Sequence, residues 1–99
     1  MKIEREVNGT TLIVKPSGRL ETTTAPELQA VIDNELTDVS DLSIDMEQLE
    51  YVSSAGLRVL LSATKKMQAK NGNMKIQNVR PEVLEVFKIT GFDVILTIE

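Results

Sequence analysis

Tyr51-Val52-Ser53-Ser54-Ala55-Gly56-Leu57, continued by Arg58-Val59-Leu60-Leu61, is the stretch on which the reading of this chain turns. Two hydroxyl residues and a glycine stand between a loop upstream and a strongly apolar helical pattern downstream. Serine is a favoured N-cap because its oxygen accepts hydrogen bonds from the unpaired amides of a helix's first turn. Those amides, at the positive end of the helix, also form a site for an anion. Ser53 and Ser54 therefore read as a cap, as bearers of a phosphate, or as both, and on spacing alone the cap is the simplest of these.

Downstream, Leu57, Leu60, Leu61, Thr64 and Met67 recur on one side of a helix expected over residues 54–70. Leu57 and Leu61 widen its apolar face; burial within the domain is the expected use and contact with a partner the alternative. Lys65, Lys66 and Lys70 fall in the last turns, where cations suit the helix dipole, and read as a solvated end. Asn71-Gly72-Asn73 stops the helix, with Asn71 or Gly72 available for the left-handed cap. A strand at residues 74–79 follows. Pro81 then starts a short helix with Val83, Leu84 and Phe87 inward. Gly91 ends it, and Val94-Ile95-Leu96-Thr97-Ile98 reads as a closing strand.

Upstream, residues 48–52 read as a loop, and Leu42, Ile44 and Met46 alternate as a strand. Residues 25–36 form a helix with Leu28, Val31, Ile32 and Leu36 on one face. Thr24 and Glu27 there have the spacing of a capping box. Residues 2–7 and 10–14 are strands joined at Asn8-Gly9, a type I′ hairpin signal, and Pro16-Ser17-Gly18 ends the second. The order β-β-α-β-α-β-α-β makes a single α/β domain over residues 1–99. Its sheet is mixed and mostly parallel, of about five strands, because helical crossovers force parallel pairing.

Composition excludes several functions. With no cysteine, neither a disulfide framework nor a thiolate nucleophile is possible. With no histidine, the Ser-His-Asp arrangement and nearly all zinc chemistry are gone. A net charge of −4 argues against a nucleic-acid partner. No apolar run reaches the roughly 20 residues of a membrane span, and the start of the chain does not read as a signal peptide, so a cytoplasmic location is expected. Asp45, Glu47, Glu50 and the lysines stand at no recognisable spacing for activating a serine nucleophile. No phosphate-binding Gly-Lys loop or dinucleotide glycine pattern accompanies the serines, so no cofactor is expected.

Leu42-Ser43-Ile44-Asp45 together with Tyr51 to Leu61 resembles the signature of the STAS domain, the family that includes the bacterial anti-sigma factor antagonists. Gly18 to Leu28 resembles the segment before that family's first helix. Asn78-Val79-Arg80-Pro81-Glu82-Val83 and Thr90-Gly91-Phe92-Asp93 resemble its C-terminal helix and exit, so the likeness runs over nearly the whole chain. The resemblance implies a non-enzymatic regulator of transcription. Its partners would be an anti-sigma factor of serine-kinase type, with a GHKL-type ATP-binding fold, and a PP2C-type phosphatase. Anchored on Asp45 and on Gly56-Leu57, it places the phosphorylated serine at Ser54, with Ser53 the second choice. Ser53 then stands where the family has aspartate, and Ala55 where it has a second hydroxyl. It further implies partner contacts at Glu21, Thr22 and Thr23, with Glu21 in the place of an aspartate, and along Ser53, Ser54, Ala55, Gly56 and Leu57. A monomer or weak dimer is expected. The alternatives are a STAS scaffold in a lipid-transport ABC complex or a stress-sensing assembly, a binder of nucleotide phosphate, and a serine hydrolase.

Overall fold

The Asn8-Gly9 signal folds the start of the chain into a hairpin, although not with the turn expected. In the computed structural model, which describes residues 1–99, β1 (Lys2–Asn8) and β2 (Thr11–Leu20) pair antiparallel from Lys2↔Ser17 to Asn8↔Thr11. The two linking residues are Gly9 and Thr10, and only Gly9, at φ +65°, has a positive φ. That is the requirement of a type II′ turn, not of type I′, which needs it at both positions.

β2 does not end at Pro16-Ser17-Gly18 but runs through it to Leu20. Its first half pairs parallel with β3 (Asp41–Asp45), from Thr11↔Asp41 to Val14↔Ile44. Its last residues pair parallel with β4 (Leu49–Val52), as Gly18↔Leu49, Arg19↔Tyr51 and Leu20↔Val52. Pro16 falls in the gap between the two partners, where its missing N–H leaves no ladder bond unmade. A register shift between Gly18 and Arg19, with Gly18 at φ +91°, turns the strand from one partner to the other.

β4 occupies residues read from sequence as a loop. Conversely, the closing strand expected at residues 94–98 is a short helix, α4 (Phe92–Ile95), followed by a single parallel bridge of Ile98 to Ile76. Gly91 at φ +80° caps α3 (Pro81–Thr90), and the chain enters another helical turn before it can extend. β5 (Asn73–Gln77) lies parallel to β3. The sheet thus has five strands, in the order β1-β2-β3-β5 with β4 on β2. One pair is antiparallel and the other three are parallel.

One face of this sheet carries Leu12, Val14, Leu42, Ile44 and Ile76, all buried in a single core of 23 residues. Leu28, Val31 and Ile32 of α1 (Ala25–Glu35), Leu60 and Met67 of α2 (Ser54–Ala69), and Val83 and Phe87 of α3 complete it. Each wholly buried leucine contributes about 1.5–3 kcal/mol relative to exposure. The alternate positions Glu4, Glu6, Lys15, Asp41 and Lys75 give the other face a polar surface.

α1 and α2 are tied together by groups read from sequence as a solvated end. Lys66 pairs with Asp33, and Lys70 donates to the carbonyl oxygens of Leu36 and Thr37 at the C-terminus of α1. Lys65 is exposed, Leu84 and Leu61 are half-buried, and the left-handed residue after α2 is Asn71, at φ +58°.

Candidate functional site

β2 and β4 end together. Leu20↔Val52 is their last pair, and the Ser53 N–H then donates to the Leu20 carbonyl at 2.9 Å, carrying the ladder one residue further. Beyond that point each strand turns into a helix, β2 through residues 21–24 into α1 and β4 through Ser53 into α2. The topology therefore brings Glu21, Thr22 and Thr23 beside Ser53, Ser54 and Ala55, although some thirty residues separate the two segments in the chain.

The two serines differ in environment. Ser53 is the N-cap residue, extended at φ −99° and ψ 177°, and its carbonyl accepts the first helical bond, from Leu57 N–H at 2.9 Å. Its side chain makes no capping bond, and its Oγ is buried without a partner. Ser54, the first residue of α2, is exposed. The first-turn amides of α2 thus lack a side-chain acceptor, and no acidic residue balances the positive end of the helix.

The helix sits close over the strand ends because residue 56 is glycine. A Cβ there would lie 2.7 Å from Leu20 Cγ and 2.9 Å from Val52 Cγ2. Leu20 and Val52 are fully buried and have no room to retreat. Gly56 and Leu57 are themselves buried and Ala55 is half-buried, so Ser54 with Thr22 and Thr23 forms the exposed part of this end.

The 21–24 loop is held by Thr24, but not through a capping box. The Thr24 hydroxyl donates to the Arg19 carbonyl at 2.6 Å and accepts from the Glu21 N–H at 2.9 Å. Glu27, the expected partner in the box, meets the Met1 amine at 3.2 Å instead. Glu21 is engaged by Arg19, whose Nε donates to Glu21 Oε2 at 3.0 Å. The same guanidinium lies 4.2 Å from the centre of the Tyr51 ring, on the neighbouring strand and in register with Arg19. Sequence reading gave Arg19 and Tyr51 no role. The one available signal was the Arg-x-Glu spacing at the end of a strand, which puts both side chains on one face. Asp45 takes no part here: its carboxylate accepts from the Glu47 N–H and from Asn78 Nδ2, both at 3.0 Å. No group of three or more carboxylates is gathered to hold a metal ion, and no helix is long and apolar enough to cross a membrane.

The family model of the STAS domain matches residues 2–99. The chain belongs to the STAS domain family. Among curated relatives, the anti-sigma-B factor antagonist of Bacillus subtilis is 24% identical over 98 residues, covering 99% of this chain and 90% of that protein. That of Staphylococcus aureus is 29% identical over 79 residues, 79% of this STAS chain and 73% of the relative. A Bordetella bronchiseptica protein named for the same role, BtrV, is 43% identical over 49 residues, half of this chain and 42% of its own length. The fold is shared with solved structures of the antagonist SpoIIAA. The unphosphorylated form superposes with a TM-score of 0.85 at 21% identity, over 99% of this chain and 88% of that one. The phosphorylated form of the Bacillus protein superposes with 0.77 at 20%, over 99% and 91%.

Proposed function

We propose that this STAS domain is an anti-sigma factor antagonist, a binding module without catalytic activity that is switched by phosphorylation at Ser54. Unphosphorylated, it binds an anti-sigma factor of serine-kinase type and so frees the sigma factor. The kinase transfers the γ-phosphoryl group of ATP to Ser54 Oγ, the hydroxyl proton is lost and ADP leaves. The modified chain then releases the kinase until a PP2C-type phosphatase hydrolyses the ester. The names of the curated relatives support the antagonist role, and transcription is what such a module regulates.

The observation that carries the switch is the contrast between the two serines. Ser54 is exposed at an uncompensated helix N-terminus, whereas Ser53 Oγ is buried. This favours Ser54 as acceptor. A phosphate adds about −1.5 to −2 charges and three acceptor oxygens, and the positive helix end accommodates it without disturbing the core. A partner surface seated over Ser54 would instead have to bury that dianion. A penalty of only about 4 kcal/mol weakens binding a thousandfold.

The test is incubation with the anti-sigma kinase of the same genome and ATP, followed by mass-spectrometric mapping and a binding assay. Phosphate on Ser54 and loss of the complex are expected. A chain that carries no phosphate on Ser54 or Ser53 and forms no complex would refute the proposal.

A further inference from the structure

We infer that Arg19 is a charge-exchange residue of this site. It is held by Glu21 and Tyr51 while Ser54 is unmodified, and its guanidinium transfers to the phosphate when Ser54 is phosphorylated. The inference rests on the phosphoserine reading above and adds to it a residue and a rearrangement.

Arg19 and Glu21 are two positions apart at the end of β2, so their side chains leave the strand on the same side. Tyr51 is the cross-strand partner of Arg19. The guanidinium leans from residue 19 towards Glu21, that is, towards the end of the ladder where Ser53 and Ser54 begin α2. It is not locked there. The Arg19 side chain is 58% exposed and that of Glu21 36%, and the pair is a single Nε–Oε2 bond. Exposed pairs of this kind contribute little and re-form readily. A guanidinium has five donors, of which this bond uses one, and its plane can stay on the tyrosine ring while its edge changes partner. A phosphate offers it a doubly charged, bidentate acceptor in place of a singly charged one.

The other charged groups on the converging elements are Glu27 in the first turn of α1, Glu50 on β4 and Arg58 in α2. Glu27 already faces the Met1 amine. Arg19 is the cation that the structure holds next to the acidic loop. On exchange, Glu21 is left as a free carboxylate beside the new dianion. The charge pattern of the exposed end then changes at residue 21 as well as at residue 54, which would add to the rejection of a partner fitted to the unmodified pattern.

The test uses the full chain with phosphoserine installed at residue 54 by genetic encoding. Its outcome therefore does not depend on whether any kinase modifies that serine. The second ionisation of the phosphate, near pH 6 for a free phosphoserine, is followed by phosphorus NMR. A cation in contact favours the dianion and lowers this pKa, and a nearby carboxylate raises it. Arg19→Gln should raise it by about half a unit, the scale of an exposed charge contact. Glu21→Gln should lower it, by releasing Arg19 and removing the repulsion. Both shifts should shrink in about 1 M salt. Equal values in the parent and Arg19→Gln, or in the parent and Glu21→Gln, would overturn the inference. Circular dichroism establishes that each variant folds, and if one does not, the other still decides. Failure of the kinase assay with these shifts present would overturn the proposed function and leave the exchange standing.

Discussion

Replacing Gly56 with alanine tests the idea that close packing of α2 onto the ends of β2 and β4 sets the position of Ser54. Helix propensity alone favours the change, since alanine is better than glycine inside a helix by about 1 kcal/mol. The site opposes it. The new Cβ would lie 2.7 Å from Leu20 Cγ and 2.9 Å from both Leu20 Cδ2 and Val52 Cγ2. Carbon contacts are normally about 3.5–4.0 Å. Val52 is stiff at χ1, and both neighbours are wholly buried, so relief requires the first turn of α2 to move outward by close to 1 Å. Over-packing of this kind costs about 1–3 kcal/mol. Against the propensity gain, the expected net loss is about 1–2 kcal/mol, read as a urea midpoint lower by about 1 M at unchanged slope. Leu20→Ala supplies room for the methyl group. In that background Gly56→Ala should be neutral or stabilising, a coupling that a double-mutant cycle measures directly. If Gly56→Ala is as stable as the parent in the Leu20 background, the close approach is not what residue 56 provides, and the reasoning fails.

Three further outcomes are expected. Ser53→Ala removes a buried hydroxyl without a partner, so unfolding should show no loss of stability and up to about 1 kcal/mol of gain; a loss of about 1 kcal/mol would mean that the hydroxyl caps α2 in solution. Asp33 is held below its ordinary carboxyl value of 3.8 by the hydrogen bond from Lys66 first and from Gln29 second. A depressed folded-state pKa gives stability that is present above the unfolded value and lost as the pH falls through the folded one. Asp33→Asn should therefore narrow the difference in urea midpoint between neutral pH and pH below 3.8, and less so in high salt because the pair is exposed. Ser54→Glu should leave thermal unfolding within about 0.5 kcal/mol of the parent, as exposed substitutions do, while weakening kinase binding in calorimetry; unchanged binding would favour a STAS scaffold without a phosphoswitch.

The elements that could be read from sequence are those whose signal lies within the element. The apolar stripe of α2, the Pro81 start and Gly91 stop of α3, and the alternation of Leu42, Ile44 and Met46 all correspond to observed structure. β4 escaped because its residues do not alternate. Leu49 and Val52 are buried and the two between them exposed, a pattern that exists only because β2 bends at Gly18 to receive it. The run at residues 94–98 misled in the opposite sense: its β-branched residues suit a strand, but Val94 is 86% exposed in α4 and the chain reaches the sheet only at Ile98. The site divides in the same way. Ser54, Gly56 and Glu21 stand in recognisable motifs. The Arg19–Tyr51 contact arises from a parallel register between segments more than thirty residues apart, and no local pattern encodes it.

That register also explains why two adjacent serines differ so much. Ser53 is the last residue governed by the strand: its N–H belongs to Leu20, and its hydroxyl turns into the space closed by the approach of α2. Ser54 is the first residue governed by the helix, and its position there leaves it in water. A charge on Ser53 would have to be buried, at a cost of several kcal/mol. A charge on Ser54 would stay hydrated, next to amides that lack an acceptor. What separates the two positions is the change from one backbone geometry to the other, and Gly56 lets that change occur tightly against Leu20 and Val52. On this geometry a phosphate at Ser54 leaves the core packing intact and alters only the exposed end of the domain, so its effect would be felt by a partner and not by the fold.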